Sequence, residues 1–274
     1  MRRILVFDSG LGGLTVARAL RAAGRGRGRV AIDYAADTAG FPYGDWEEDA
    51  LRAHIVSLMG RLIDAARPDV VVVACNTASV ISLAALRAEY DMPFVGTVPA
   101  IKPAAKLTRT GVIGVLATPG TVKREYTTAL IHTYAFHCEV VLHGAAGLAR
   151  MAEDKLAGRP VAPEALRREI APAFVERKGR ATDVVVLGCT HYPLLREEME
   201  RVAPWPVTFV DPSAAIARRA LEVAEGCDDR GDAHGGRVFA TAPGEGLRAV
   251  LAAEGFPRMA VVGDAGEEGR RGAG

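Results

Sequence analysis

The sequence lacks any apolar run of the roughly 18 to 20 residues needed to cross a bilayer. It also has few cysteines: Cys75, Cys138, Cys189 and Cys227 are widely spaced, and none belongs to a C-x-x-C pair. Neither a zinc ribbon nor a disulfide framework is therefore indicated. Because the N-terminus runs directly into a strand-like segment without a signal-peptide pattern, we predict a cytoplasmic protein with free thiols.

An excess of charge of one sign is also missing. The chain has 34 basic and 33 acidic residues, which gives a net charge of +1 at pH 7. This balance gives no support for a nucleic-acid or acidic-membrane partner. One basic stretch, residues 25–29, alternates arginine with glycine. We interpret it as a solvated loop rather than an RNA-binding segment.

Short runs of β-branched residues alternate with amphipathic stretches along the chain. This alternation predicts an α/β protein built from βα units around parallel sheets, with strands covered on both faces. The predicted strands are residues 4–7, 30–35, 70–74, 112–116, 139–142, 184–188, 207–210, 238–240 and 260–262. The clearest predicted helices are residues 45–66, 145–157, 163–178 and 214–224. Residues 265–274 are rich in glycine and charge and are predicted to be a disordered tail.

The most informative feature is an internal repeat. The segment DVVVVACNT (residues 69–77) is similar to DVVVLGCTH (residues 183–191), and a fainter similarity pairs residues 4–13 with 112–120. We therefore predict two pseudo-symmetric parallel-sheet domains. The first comprises residues 1–96 and is completed by residues 211–274, and the second comprises residues 97–210. Each domain carries one cysteine of the repeat, Cys75 or Cys189, at the end of a strand.

The repeated cysteines suggest acid/base chemistry. The carboxyl ends of parallel strands form the ligand-binding edge of an α/β sheet, so facing domains would bring both thiols to one cleft. Racemisation needs two acid/base groups on opposite faces of a fixed substrate, and the pKa of a thiol can be adjusted for this task. Cys138 and Cys227 lack a polar turn and are interpreted as small buried apolar residues. A Cys/His hydrolase would need only one cysteine and leaves the repeat unexplained.

Several short motifs resemble the glutamate racemase family, within the aspartate/glutamate racemase superfamily. They are FDSGLGGLT at residues 7–15, DT at 37–38, PYG at 42–44, ACNTAS at 74–79, TPGTV at 118–122 and LGCTHYPLL at 187–195. Each motif alone is weak, but the set in this order is highly specific. The chain departs from the commoner family pattern at Ala36, where glycine is usual, and at Gly40, where many members have a basic residue.

The resemblance implies that Cys75 and Cys189 are the two acid/base residues, that Asp8 assists Cys75, and that His191 and Glu153 assist Cys189. It implies glutamate as the substrate, no pyridoxal phosphate or other cofactor, no metal, and a homodimer. The D-glutamate would supply peptidoglycan synthesis, and hence cell wall biogenesis and cell shape. The implied substrate contacts are Asp8, Ser9, Pro42, Tyr43, Gly44, Asn76, Thr77, Thr118, Thr121, Thr190 and His191.

Other interpretations remain open. Asp8 is also typical of a turn or helix cap, His191 of a hydrogen-bonded structural histidine, and Glu153 of a solvated helix face. At the level of function, the rivals are a racemase for aspartate or another acidic amino acid, and a non-catalytic protein that binds amino acids or dicarboxylates. The non-catalytic alternative has no use for paired thiols.

Overall fold

A computed structural model of the chain describes residues 2–25, 30–228 and 235–262. The strands are β1 (Arg2–Asp8), β2 (Val30–Ala36), β3 (Val70–Val73), β4 (Phe94–Val95), β5 (Val112–Ala117), β6 (Glu139–Gly144), β7 (Glu176–Arg177), β8 (Arg180–Ala181), β9 (Val184–Leu187), β10 (Thr208–Val210), β11 (Arg237–Ala240) and β12 (Arg258–Val261). The predicted loop lies outside the described residues at positions 26–29, as does the predicted tail.

The helices cover the faces of the sheets. They are α1 (Leu14–Gly24), α2 (Glu48–Ala66), α3 (Asn76–Glu89), α4 (Ile101–Leu107), α5 (Pro119–Val122), α6 (Glu125–Tyr134), α7 (Leu148–Leu156), α8 (Pro163–Ile170), α9 (Arg196–Val202), α10 (Ser213–Glu225) and α11 (Glu245–Ala253). Short 3₁₀ turns cover Tyr43–Asp45, Ala171–Ala173 and Tyr192–Leu195. In the part of the chain that the structure describes, no helix is both long enough and apolar enough to span a bilayer.

Two parallel sheets form the frame of the molecule, which confirms the predicted fold class. The first sheet has the strand order β12-β11-β2-β1-β3-β4, and the second has the order β10-β9-β5-β6. The central strands β3 and β9 are fully buried runs of valine and leucine. Such continuous apolar strands require helices on both faces, and the buried residues form apolar clusters on the two faces of each sheet.

The two sheets repeat one arrangement. The order β2-β1-β3-β4 in the first sheet corresponds to β6-β5-β9-β10 in the second. The register agrees as well, because Ile4 pairs with Val70 in the first sheet and Ile113 pairs with Val184 in the second. The strands after β10, namely β11 and β12, join the first sheet beside β2. The exact domain boundaries at residues 96 and 210 stay a prediction.

The second half of one predicted helix is wrong. The helix predicted at residues 163–178 ends at Ile170, and the chain continues through a 3₁₀ turn into the antiparallel pair β7 and β8. Pro172 in that turn has no N–H to continue a helix. Gly179 has a φ of +75°, which suits the tight turn between β7 and β8. Strand β4 was not predicted because it has only two residues.

The close contact between β5 and the 3₁₀ turn after α8 can be tested at Gly114. A Cβ atom there would lie 2.4 Å from the carbonyl oxygen of Ala173, so backbone would have to move. We expect Gly114→Ala to lower the free energy of unfolding by about 1–3 kcal/mol, measured by urea denaturation. The control is Gly246→Ala, where nothing lies within 4 Å of the added atom. A change within about 0.5 kcal/mol is expected there, and an equally small effect at Gly114 would contradict the described contact.

Candidate active site

Cys75 and Cys189 occupy equivalent places after β3 and β9. The residue before Cys75 is Ala74, whose N–H donates to Phe7 O (2.8 Å). The residue before Cys189 is Gly188, whose N–H donates to Leu116 O (2.7 Å). Both cysteines are buried, at 7% and 8% exposure, and both line one cavity between the sheets. The cavity is small, with a volume of about 30 Å³.

Most of the site residues predicted from sequence surround this cavity. Those lining it are Ser9, Pro42, Tyr43, Gly44, Cys75, Asn76, Thr77, Thr118, Cys189, Thr190 and His191. Asp8 and Glu153 lie behind the wall, where Asp8 bonds to Thr190 and Glu153 bonds to His191. Thr121 lies behind Thr118, with 2.9 Å between the two hydroxyl oxygens. The roles assigned to these residues stay predictions.

Sequence reasoning missed two residues of the wall, Phe41 and Ala149. Phe41 lies between the DT and PYG motifs, so its position in that loop was a usable signal. Ala149 lies on α7 among ordinary helix residues and carried no such signal. The ring of Phe41 packs against the imidazole of His191, with 5.4 Å between ring centroids. The loop after β2 therefore makes an apolar contact with the turn after β9.

Cys75 is held as a thiol. Its sulfur accepts from the N–H of Ala78 (3.5 Å) at the start of α3, and the hydroxyl of Ser9 lies 3.8 Å away. Burial, and then the nearby charge of Asp8, raise the pKa of Cys75 to about 12, although the two hydrogen bonds act in the opposite direction. At neutral pH this sulfur carries a proton that it can donate.

Cys189 has a different partner. Its sulfur lies 3.8 Å from Nδ1 of His191, and Nε2 of the same ring lies 2.8 Å from Oε1 of Glu153. Burial lowers the pKa of His191, but the hydrogen bonds with Cys189 and Glu153 and the negative charges nearby outweigh burial and raise it well above 6.5. A ring protonated on both nitrogens can donate to Cys189 and Glu153 at the same time. It cannot also accept from the Gly12 amide, which lies 3.2 Å from Nε2.

The glycine-rich turn after β1 reaches across to the turn that holds Cys189. Oε1 of Glu153 accepts from the N–H of Leu11 (2.8 Å), and the hydroxyl of Thr190 donates to Oδ2 of Asp8 (2.9 Å). A Cβ atom at Gly12 would lie 2.5 Å from both His191 Nδ1 and Thr190 Oγ1. Only glycine permits this approach, so the glycine-rich motif serves contact between the sheets.

Asp8 is completely buried, and both of its carboxylate oxygens are hydrogen-bonded. Oδ1 accepts from the N–H of Gly10 (2.9 Å), and Oδ2 accepts from Thr190. Burial raises the pKa of Asp8, and the nearby His191 partly offsets this effect. Among the described contacts, Asp8 influences Cys75 through its charge rather than through a hydrogen bond. The predicted assistance of Asp8 to Cys75 stays a prediction.

Asn76 offers unused hydrogen-bonding groups at the cavity wall. The residue is 3% exposed, and neither its side-chain oxygen nor its nitrogen has a hydrogen-bond partner. Buried amides without partners are rare because leaving them unpaired is costly. Asn76 also begins α3, where the positive end of the helix dipole favours negative groups. The arrangement suits a small ligand with both a donor and a carboxylate.

A metal site is not found within residues 2–25, 30–228 and 235–262, where no group of three or more His, Cys, Asp or Glu side chains could hold an ion. The described wall of the cavity also contains no lysine. The chemistry available in the described cavity is therefore that of thiols, an imidazole, hydroxyls and an amide.

Comparison with known proteins gives one family. The family model described as Asp/Glu/Hydantoin racemase matches residues 12–220. A glutamate racemase of Agrobacterium fabrum is 54% identical over 221 residues, covering 80% of each chain. The structure of Escherichia coli glutamate racemase in complex with L-glutamate and the activator UDP-MurNAc-Ala has a TM-score of 0.88 and 41% identity, covering 96% of this chain and 98% of that one. Glutamate racemase of Aquifex pyrophilus has a TM-score of 0.71 and 31% identity, covering 94% and 98%.

The raised pKa of His191 predicts a pH-dependent contribution to stability. Because the folded state binds this proton more tightly, the stabilisation is fully present below about pH 6.5 and is lost as the pH rises toward the folded-state pKa. The difference in unfolding free energy between the wild type and His191→Gln should therefore shrink from pH 6 to pH 9, measured by urea denaturation. The exposed His132 provides a control, His132→Gln, with an expected change within about 0.5 kcal/mol. A constant difference for His191 would contradict a protonated imidazole.

Proposed function

The chain belongs to the Asp/Glu/hydantoin racemase family, as its motifs predicted, and we propose that it interconverts L- and D-glutamate with Cys75 and Cys189 as the two acid/base residues. One observation carries the proposal. Two cysteines at equivalent places in two similar sheets line the same small cavity. A binding protein has no need for this pairing, whereas proton transfer on two faces of one carbon requires two groups.

The cavity wall would hold the substrate by its charged groups. Asn76 supplies an unpaired amide, and the backbone N–H groups at the start of α3 favour a carboxylate. Thr77, Thr118 and Thr190 add hydroxyl groups around the same space. Gly44 allows close approach of backbone to a second carboxylate. Fixing both ends of glutamate would place its α-carbon between the two sulfur atoms.

Each inversion of the substrate would then use both sulfur atoms. One thiolate removes the α-proton from its face, and the opposite thiol donates its own proton to the other face, so the substrate inverts and the protons balance. Cys75 begins as the thiol, because its pKa is about 12. In this direction Cys189 is the base, and the nearby imidazolium of His191 stabilises negative charge on its sulfur. The reverse direction needs the opposite distribution of protons.

The remaining parts of the proposal follow from the function. D-glutamate would enter peptidoglycan synthesis, and thus cell wall biogenesis. Acid/base work by thiols requires the reduced form, which fits the proposed cytoplasmic location. No cofactor takes part in this scheme, and no nucleic-acid or membrane partner is needed. A homodimer remains a prediction of the family resemblance.

The first test removes each sulfur singly. We expect Cys75→Ala and Cys189→Ala to reduce racemisation of glutamate at least by the 10²- to 10⁴-fold typical of one acid/base group, because each face of the substrate needs its own proton carrier. Turnover is followed by optical rotation. Cys138→Ala and Cys227→Ala are matched controls, since neither residue lines the cavity, and should keep wild-type turnover. Near-normal turnover in either cavity variant would exclude the two-cysteine mechanism.

The second test compares L-glutamate and L-aspartate as substrates of the wild-type protein in D₂O. Wild-type enzyme should replace the α-proton of L-glutamate with deuterium while optical activity is lost, and should act far more slowly on L-aspartate. Faster exchange with L-aspartate would make it a racemase for the shorter substrate. Binding of glutamate without any exchange would leave the non-catalytic alternative.

A further test concerns the two helpers. We expect Asp8→Asn and His191→Asn each to reduce turnover by about 10²- to 10⁴-fold, because each alters the environment of one sulfur. The overall equilibrium cannot change, but kcat and KM can change unequally in the two directions. α-Deuterium isotope effects measured on D- and L-glutamate should shift in opposite senses in the two variants. Identical patterns would show that Asp8 and His191 do not serve separate faces.

A further inference from the structure

A second buried hydrogen-bond network lies behind the cavity wall, around Asp37. This residue follows β2 and is 1% exposed. Its Oδ2 accepts from the hydroxyl of Tyr43 (2.5 Å) and lies 2.6 Å from Nε2 of His54, and its Oδ1 accepts from the hydroxyl of Thr241 (2.8 Å). The partners come from the 3₁₀ turn at Tyr43–Asp45, from α2 and from the segment after β11. The proposed mechanism gives no role to Asp37, His54 or Thr241.

In this network the carboxylate of Asp37 accepts a hydrogen bond from the neutral hydroxyl of Tyr43. Burial raises the pKa of Asp37, but the hydrogen bonds from His54, Tyr43 and Thr241 outweigh burial and lower it below its ordinary value. Burial, and then the charge of Asp37, raise the pKa of Tyr43 well above its ordinary value, so its hydroxyl keeps its proton. Such charge-assisted hydrogen bonds are roughly twice as strong as neutral ones.

The held segment is also a wall of the cavity. Residues 41–44 all line it, whereas Asp37 does not. Trp46, just after this segment, bonds back to the residue just before it, because its Nε1 donates to Gly40 O (2.8 Å). The centroid of its ring lies 5.0 Å from that of His54. The hydrogen bond to Tyr43 links the Asp37 side chain to this segment.

We propose that Asp37 is a positioning residue for substrate binding, whose carboxylate holds the Tyr43 hydroxyl and thereby fixes residues 41–44 as a wall of the cavity. The substrate in this inference rests on the proposed function. Thr241 extends the network to the segment after β11, and no described residue after His191 lines the cavity. The segment that completes the first sheet thus also supports the site.

The kinetic test compares Asp37→Ala with Tyr43→Phe, which removes only the hydroxyl. We expect Asp37→Ala to raise KM for glutamate about 10- to 100-fold with little change in kcat, because the wall binds substrate rather than transferring protons. Tyr43→Phe should act in the same direction. Since both changes break one interaction, the double variant should have the KM of Asp37→Ala alone. A purely additive double variant would overturn the proposal, as would an unchanged KM in folded Asp37→Ala.

Two further variants separate positioning from general stability. Asp37→Asn keeps an acceptor for Thr241 and a polar group beside Tyr43, and should restore part of the lost affinity. Asp183 is a matched control, because its carboxylate accepts from the Thr108 hydroxyl (2.6 Å) and the Arg109 amide (2.7 Å), away from the cavity. Asp183→Asn should lower stability without raising KM. An equal rise in KM in this control would overturn the specific role of Asp37.

A measurement without turnover keeps this inference distinct from the proposed function. The amides of Gly40, Asp45 and Trp46 donate to Asp37 O, Pro42 O and Tyr43 O. Their hydrogen exchange, followed by mass spectrometry, should become faster in Asp37→Ala than in Asp183→Asn. If the wild type fails to racemise glutamate, the proposed function falls while faster exchange still supports the anchoring of the wall. Unchanged exchange would overturn the anchoring.

Discussion

The site depends on the close approach of the glycine-rich turn after β1 to the turn after β9. Gly12 leaves space for His191 and Thr190, and the hydrogen bond from Thr190 to Asp8 joins the two sheets. This contact removes water from a set of ionisable groups, so their charges act on one another at low dielectric. Burial raises the pKa of Cys75, whereas the pKa of His191 is raised, against the effect of burial, by its hydrogen bonds with Cys189 and Glu153.

The two sheets have the same backbone arrangement, but the side chains around their cysteines differ. The amide of Asp37 donates to Asp8 O, and the amide of Ala145 donates to Ala117 O, so register places Ala117 where the first sheet has Asp8. The repeat supplies a thiol to each side of the cavity. The surrounding substitutions then give one sulfur a nearby carboxylate and the other an imidazole. A symmetric scaffold thereby places its two thiols in different surroundings.

Groups that never touch the cavity still shape it. Glu153 bonds to His191 from behind the wall, and Asp37 holds residues 41–44 through Tyr43. Each carboxyl group bonds to more than one segment of the chain: Glu153 to Leu11 and His191, and Asp37 to Tyr43, His54 and Thr241. Through Thr241, the wall is further linked to β11, a strand added to the first sheet by the C-terminal part of the chain. The fold and the site are therefore stabilised by the same elements.

The sequence by itself determined the α/β class, most strands, and the placement of Cys75 and Cys189 at strand ends, because these depend on local apolar runs and on a repeat that can be read directly. Periodicity failed at residues 171–178, where Pro172 and a glycine turn interrupt an otherwise helical pattern. Only the tertiary structure decided that Asp8 bonds to Thr190, that Phe41 packs on His191, and which residues share Asp37. Those contacts join segments far apart in the chain, and the close packing that selects them leaves no periodic signal in sequence.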